Sequence, residues 1–127
     1  MTDSDRLEAL CAWAESKGWH VDFGPHEDEA IGLTRTINID SRRKPRQQVY
    51  ALCHECGHVL DDECHRERLL PSEKYYSDTQ VGRIAQIECE INAWRRGWSL
   101  ARRLKLGLDR RGYTRAAVNA LSTYIVI

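Results

Sequence analysis

Apolar positions near the start of the chain recur at helical spacing. Leu7, Leu10, Cys11 and Ala14 share one side of a segment from Ser4 to Lys17. Asp3 or Ser4 can cap that helix and Gly18 can stop it. The period then shortens. Residues Trp19 to Phe23, Ala30 to Thr34 and Thr36 to Asp40 each have the pattern of a short strand, and Gly24-Pro25 marks a turn between the first two. This pattern predicts a small antiparallel sheet. A basic loop, Ser41 to Arg46, leads to a second predicted helix from about Gln47 to Leu60. The polar stretch Asp61 to Tyr76 has no period and reads as a surface loop. A third helix is expected from Ser77 or Asp78 to about Leu106, with Gly107 as its stop, and a last one from Thr114 to Tyr124.

The expected fold is therefore α+β: a small sheet packed on helices, in a single domain over residues 1–127. Residues 1–106 would form its core and 107–127 a helical extension. Acids and bases balance at 19 each, so net charge gives no general attraction to nucleic acid or anionic lipid. The balance is uneven along the chain, with eight acids and two bases in residues 1–30, against one acid and eight bases in 91–115. The basic stretch Arg95 to Arg115 is either a solvated helix surface or a face for nucleic acid or an acidic partner. No apolar run is long enough to span a bilayer and the N-terminal residues are acidic, so a cytoplasmic protein is expected. Five cysteines, an odd number, point to reduced thiols or metal ligands and not to a disulfide framework.

The second predicted helix carries the chemistry. It contains His54-Glu55-Cys56-Gly57-His58, an H-E-x-x-H pattern. Residues four apart stack on one helix face, so both imidazoles can reach one zinc ion. The Glu beside the first His can take a proton from water that the cation has acidified. Leu52, Cys53, Cys56, Val59 and Leu60 make one apolar stripe on this helix, and the histidines lie on the opposite side. Cys53 and Cys56 thus point away from the histidine pair and are expected as small core residues.

A catalytic zinc site needs a third protein ligand. Glu88 and Glu90 on the third helix are the candidates. Ile84, Ile87, Ile91, Trp94 and Trp98 define an expected buried stripe, with Glu88 at its edge and Glu90 on the far side. A carboxylate facing the core needs a partner, so Glu88 is the expected ligand, with Asn92 one turn away able to support it. Candidates to steady a developing oxyanion are His65, Tyr75 and Tyr76 from the loop. The acids Asp61, Asp62, Glu63 and Glu67 beside the metal either favour a basic peptide or are simply solvated, as loops of that composition usually are.

The order of these elements, together with His54-Glu55-Cys56-Gly57-His58 and Glu88-Cys89-Glu90-Ile91-Asn92-Ala93, resembles the ImmA/IrrE family of zinc metallopeptidases over residues 5–100. The second motif of that family is usually written E-x-E-A-N-x-F-A. Ile91 stands here for its Ala, and Trp94-Arg95 for its Phe-Ala. The resemblance implies a zincin-like domain from a bacterium or phage, holding one zinc ion and cutting a regulatory protein such as a transcriptional repressor. It also implies His54, His58 and Glu88 as ligands and Glu55 as general base. Two alternatives stand beside the peptidase: a catalytically silent zinc-binding interaction module, and a nucleic-acid-binding accessory protein using the basic 95–115 segment.

Overall fold

Thr2, one residue before the expected caps, starts the first helix. Its hydroxyl accepts from the Asp5 backbone at 3.1 Å while the Asp5 carboxylate accepts from the Thr2 N–H at 2.8 Å, a reciprocal capping box. The computed structural model describes residues 1–64 and 80–124. Across them the chain is α+β, with four helices and a small three-stranded mixed sheet. The elements are α1 (Asp3–Ser16), β1 (His20–Gly24), β2 (Glu29–Ile31), β3 (Thr36–Asp40), α2 (Pro45–Cys64), α3 (Gln80–Arg103) and α4 (Arg110–Ser122).

The sheet corrects the expected antiparallel arrangement. Its order is β1-β3-β2: β1 runs parallel to β3 and only β2 is antiparallel to it. The predicted second strand is also shorter. Gly32 to Arg35 form the turn into β3, with Arg35 in the left-handed region at φ 50° and Leu33 left 92% exposed. β3 is the central strand and alternates inward: Ile37 and Ile39 are fully buried between partly exposed neighbours.

α2 starts at Pro45, where a missing N–H costs nothing, and runs through Asp61 to Cys64, which were expected as loop. The remainder of the expected loop, residues 65–76 with His65, Tyr75 and Tyr76, lies outside the described residues, as do the proposed caps Ser77 and Asp78. α3 ends at Arg103, and Lys105 and Gly107 follow at φ 54° and 64°. Asp109 then caps α4 by accepting from the Gly112 N–H at 2.7 Å, and the helix starts at Arg110, four residues before the expected Thr114.

One cluster of buried residues joins these elements. Leu10 and Ala14 of α1, Ile37 and Ile39 of β3, Val49, Leu52, Cys53 and Cys56 of α2, Leu100 of α3 and Tyr113 of α4 all belong to it. Each fully buried Leu or Ile side chain here stabilises the fold by about 1.5–3 kcal/mol. α2 is therefore packed on both sides: its apolar stripe meets α1 and the sheet, and its histidine side meets α3.

Candidate metal centre

Two glycines set how closely α2 and α3 lie. A Cβ on Gly57 would collide with the Ala93 carbonyl, and one on Gly97 with the Cys53 carbonyl and the Tyr113 hydroxyl. Backbone therefore meets backbone at these crossings. The helix faces in contact are the small ones, and Ala93 and Gly97 are buried.

This docking brings three ligating side chains together. His54 Nε2 lies 2.6 Å and His58 Nε2 3.1 Å from the same Glu90 oxygen, Oε2. The candidate ligand atoms all fall within 4.8 Å of one another. Tetrahedral ligands about 2.0–2.1 Å from zinc stand roughly 3.3 Å apart, so the three residues fit one ion after a small outward shift. Among the described residues this is the only such group. Each member is partly buried, with 14%, 19% and 15% of its side chain exposed.

The third member is Glu90 and not Glu88. Glu88 is exposed on α3, outside the cluster, and Asn92 sits half-buried, also outside it. The large apolar residues had suggested another docking face for α3, but Ile84 is 64% exposed. The face that docks instead carries Glu90, Ala93, Trp94, Gly97 and Leu100. Close backbone approach selects for small residues, and a stripe drawn from bulky ones does not see them.

Each ligand has further partners. The imidazole of His54 lies flat on the Trp94 indole, with ring centroids 4.4 Å apart and planes 11° from parallel. Its Nδ1 is 3.4 Å from Glu55 Oε2, and Glu55 is only 3% exposed. Cys89 lies near His58 and helps raise it, and its Sγ donates to Asp61 Oδ2 at 3.9 Å. Asp61 is itself buried, with Arg96 Nε 3.4 Å from its other oxygen. Tyr124, just past the end of α4, lies near Glu90, whose charge acts on its hydroxyl. Sequence reasoning missed Cys89, Asp61 and Tyr124 in these roles. No spacing rule links a residue after α4 to one in α3.

Electrostatics in the cluster favour a cation. Burial alone would raise the Glu90 carboxyl, but hydrogen bonds and charge from His54 and His58 hold it well below the usual range. Burial works against protonation of both histidines. For His54 the contacts with Glu55 and Glu90 outweigh it, and for His58 those with Cys89 and Glu90 do, so both are raised. Burial, with the Glu90 and Glu55 charges behind it, pushes the Tyr124 hydroxyl up to about 12, so it stays a donor. Cys53, buried in the core, is likewise pushed up to about 12, and Cys56 well above its ordinary value. These two thiols are core residues and not ligands.

No helix among the described residues is long and apolar enough to cross a membrane. No family model matches the chain, and neither does any curated protein or solved structure.

Proposed function

We propose that the chain is a zinc-dependent metallopeptidase in which His54, His58 and Glu90 hold the ion. The observation that carries this reading is the convergence of two imidazole nitrogens, four residues apart on one helix, onto one buried carboxylate of a second helix. Two imidazoles and a carboxylate suit zinc, while iron, cobalt and nickel share the same ligand preferences. The resemblance to the ImmA/IrrE family supports the same assignment, with one departure. The ligand is the second Glu of the second motif, Glu90, where the resemblance implied Glu88.

Zinc in such a site acidifies water and polarises a carbonyl group. The rest falls to the side chains. Glu55 accepts the proton of the attacking water and returns it to the leaving amine. Trp94 keeps the His54 ring from turning, and Tyr124 lies near the Glu90 carboxylate. The substrate on this reading is a peptide segment of another protein, such as a regulator, and a cytoplasmic location fits it.

One observation favours a second reading. Glu55 is almost fully buried beside His54 Nδ1, the place of a group that orients a ligand. A silent, metal-stabilised interaction module would need no more from it.

Metal content by mass spectrometry tests the site, on wild type, His54→Ala, Glu90→Ala and Glu88→Ala. One zinc per chain in wild type and in Glu88→Ala, lost in the other two, is expected. Zinc retained in Glu90→Ala, or absent from wild type, overturns the site. Cleavage of a mixed peptide library by wild type, abolished in Glu55→Gln that still holds zinc, separates the peptidase from the silent module.

A further inference from the structure

A groove of about 400 Å³ runs between α3 and α4, beside the metal cluster. Its apolar lining includes Trp94, Trp98, Tyr113 and Leu121, and Val118, 58% exposed, also borders it. The volume falls within the range of ligand clefts, about 300–1,000 Å³. Exposed apolar side chains beside an aromatic-lined cleft are features of a recognition surface.

Three residues connect the groove to the cluster. Trp94 lines the groove and stacks on His54. Ile91 lines it and follows Glu90 in the chain. Leu121 lines it one turn before Tyr124, which lies near Glu90. A chain lying in the groove would therefore run past the ligating residues.

Charge defines what fits. The groove carries Arg95 and Arg110, both exposed, and neither meets an acid among the described residues. Arg111 and Arg115 follow on α4 and are also exposed, outside the groove lining.

We infer that this groove is the recognition cleft of the metal centre and takes an acidic peptide segment bearing a bulky apolar side chain. The inference rests on the metallopeptidase reading for its purpose, though the groove itself exists without the ion. The apolar side chain lies against Trp98 and Val118, and flanking carboxylates meet Arg95 and Arg110. The basic 95–115 segment thereby acquires a role in peptide selection, in place of nucleic-acid binding.

Binding to the full chain under chelator, where no turnover occurs, tests this by fluorescence anisotropy. The probes are a labelled peptide with a Leu-Phe centre flanked by glutamates, the same peptide flanked by lysines, and one with serines at the centre. A labelled oligothymidine serves as the nucleic-acid arm. The acidic apolar peptide should bind at least about tenfold tighter than either control peptide or the oligonucleotide, with an affinity that falls as salt rises. Val118→Glu and the double variant Arg95→Glu/Arg110→Glu alter exposed positions. Each should weaken that binding about fivefold or more while zinc uptake stays at the wild-type level. Equal binding of the glutamate and lysine peptides, unaltered binding by both variants, or tighter binding of the oligonucleotide overturns the inference. Peptide preference without zinc uptake supports the groove and removes the peptidase reading; zinc uptake without peptide preference does the reverse.

Discussion

The imidazole of His54 and the indole of Trp94 are stacked, 4.4 Å between centroids and within 11° of parallel. Both residues take this position from the close approach of α2 and α3. The stack fixes the plane of His54, so its Nε2 faces Glu90 and its Nδ1 faces Glu55. Trp94 is anchored in turn, because Tyr113 donates to its backbone carbonyl at 2.5 Å.

Replacing Trp94 should therefore affect metal and fold together. Trp94→Ala removes a buried aromatic side chain, at a cost of about 3–5 kcal/mol. Trp94→Phe keeps a flat surface against the imidazole. Zinc affinity should fall about tenfold or more in the alanine variant and much less in the phenylalanine variant. Competition with a zinc-sensitive dye, beside urea unfolding of each variant, measures both effects. Equal zinc affinity in the two would show that the stack does not orient His54.

The glycine crossings permit a sharper test of how the site is assembled. Gly57→Ala introduces a methyl group against the Ala93 carbonyl, one turn from Glu90. Gly97→Ala pushes on the Cys53 carbonyl and the Tyr113 hydroxyl, two turns from Glu90. Overpacking of this kind costs about 1–3 kcal/mol, and more where backbone must move. Both variants should melt lower. Gly57→Ala should lose more zinc affinity, because the added methyl moves α3 away beside the ligands themselves. Identical zinc binding in the two variants would contradict the view that helix spacing places Glu90.

These crossings also explain what the sequence makes legible. His54 and His58 need only one helix to share a face, and a spacing of four residues states that locally. The inward stripe of Leu52, Cys53, Cys56 and Val59 is local in the same way, and all four are buried. Glu90 is different. Its role depends on which face of α3 docks, and that was set by Ala93 and Gly97, whose small size conceals them in a hydrophobic pattern. The parallel pairing of β1 with β3 is equally non-local, since strand composition does not encode direction. Tyr124 reaches Glu90 only through the packing of α4, which no periodicity anticipates.

Tyr124 offers a probe of the carboxylate alone. Its hydroxyl lies near Glu90 and the ring is partly buried, so Tyr124→Phe removes a polar neighbour of the carboxylate and little packing. Loss of a partner that orients a ligand typically weakens metal binding about 10–100-fold. The variant should keep wild-type stability without metal, bind zinc at the low end of that loss, and show a shifted cobalt absorption spectrum. An unchanged spectrum and zinc affinity would remove Tyr124 from the site.

Cys89 allows the matching test on the other histidine. Its thiol stands between His58 and the buried Asp61. Serine can maintain that link, whereas valine fills the space without a polar atom. Zinc affinity should follow the order wild type, Cys89→Ser, Cys89→Val, with the valine variant about tenfold weaker or more. If valine binds zinc as well as serine does, the thiol only fills space.

The metal-free protein should have an unusual dependence of stability on pH. His54 and His58 are raised above the ordinary histidine value of about 6.5. Their contribution is fully present below that value and is lost as pH rises through their folded values. Glu90 is depressed below the ordinary glutamate value of about 4.3, so its contribution is present above that value and lost as pH falls through the folded one. The three groups together favour the folded state most strongly between about pH 4.5 and 6.5, where histidines and carboxylate are all charged. Urea unfolding under chelator should show stability falling from pH 6 to 9. Zinc competes with protons for the same nitrogens, so the metal-loaded protein should gain stability over that interval. A metal-free protein equally stable at pH 6 and pH 9, with the same result in Glu90→Gln, would mean the cluster does not hold its protons as the geometry requires.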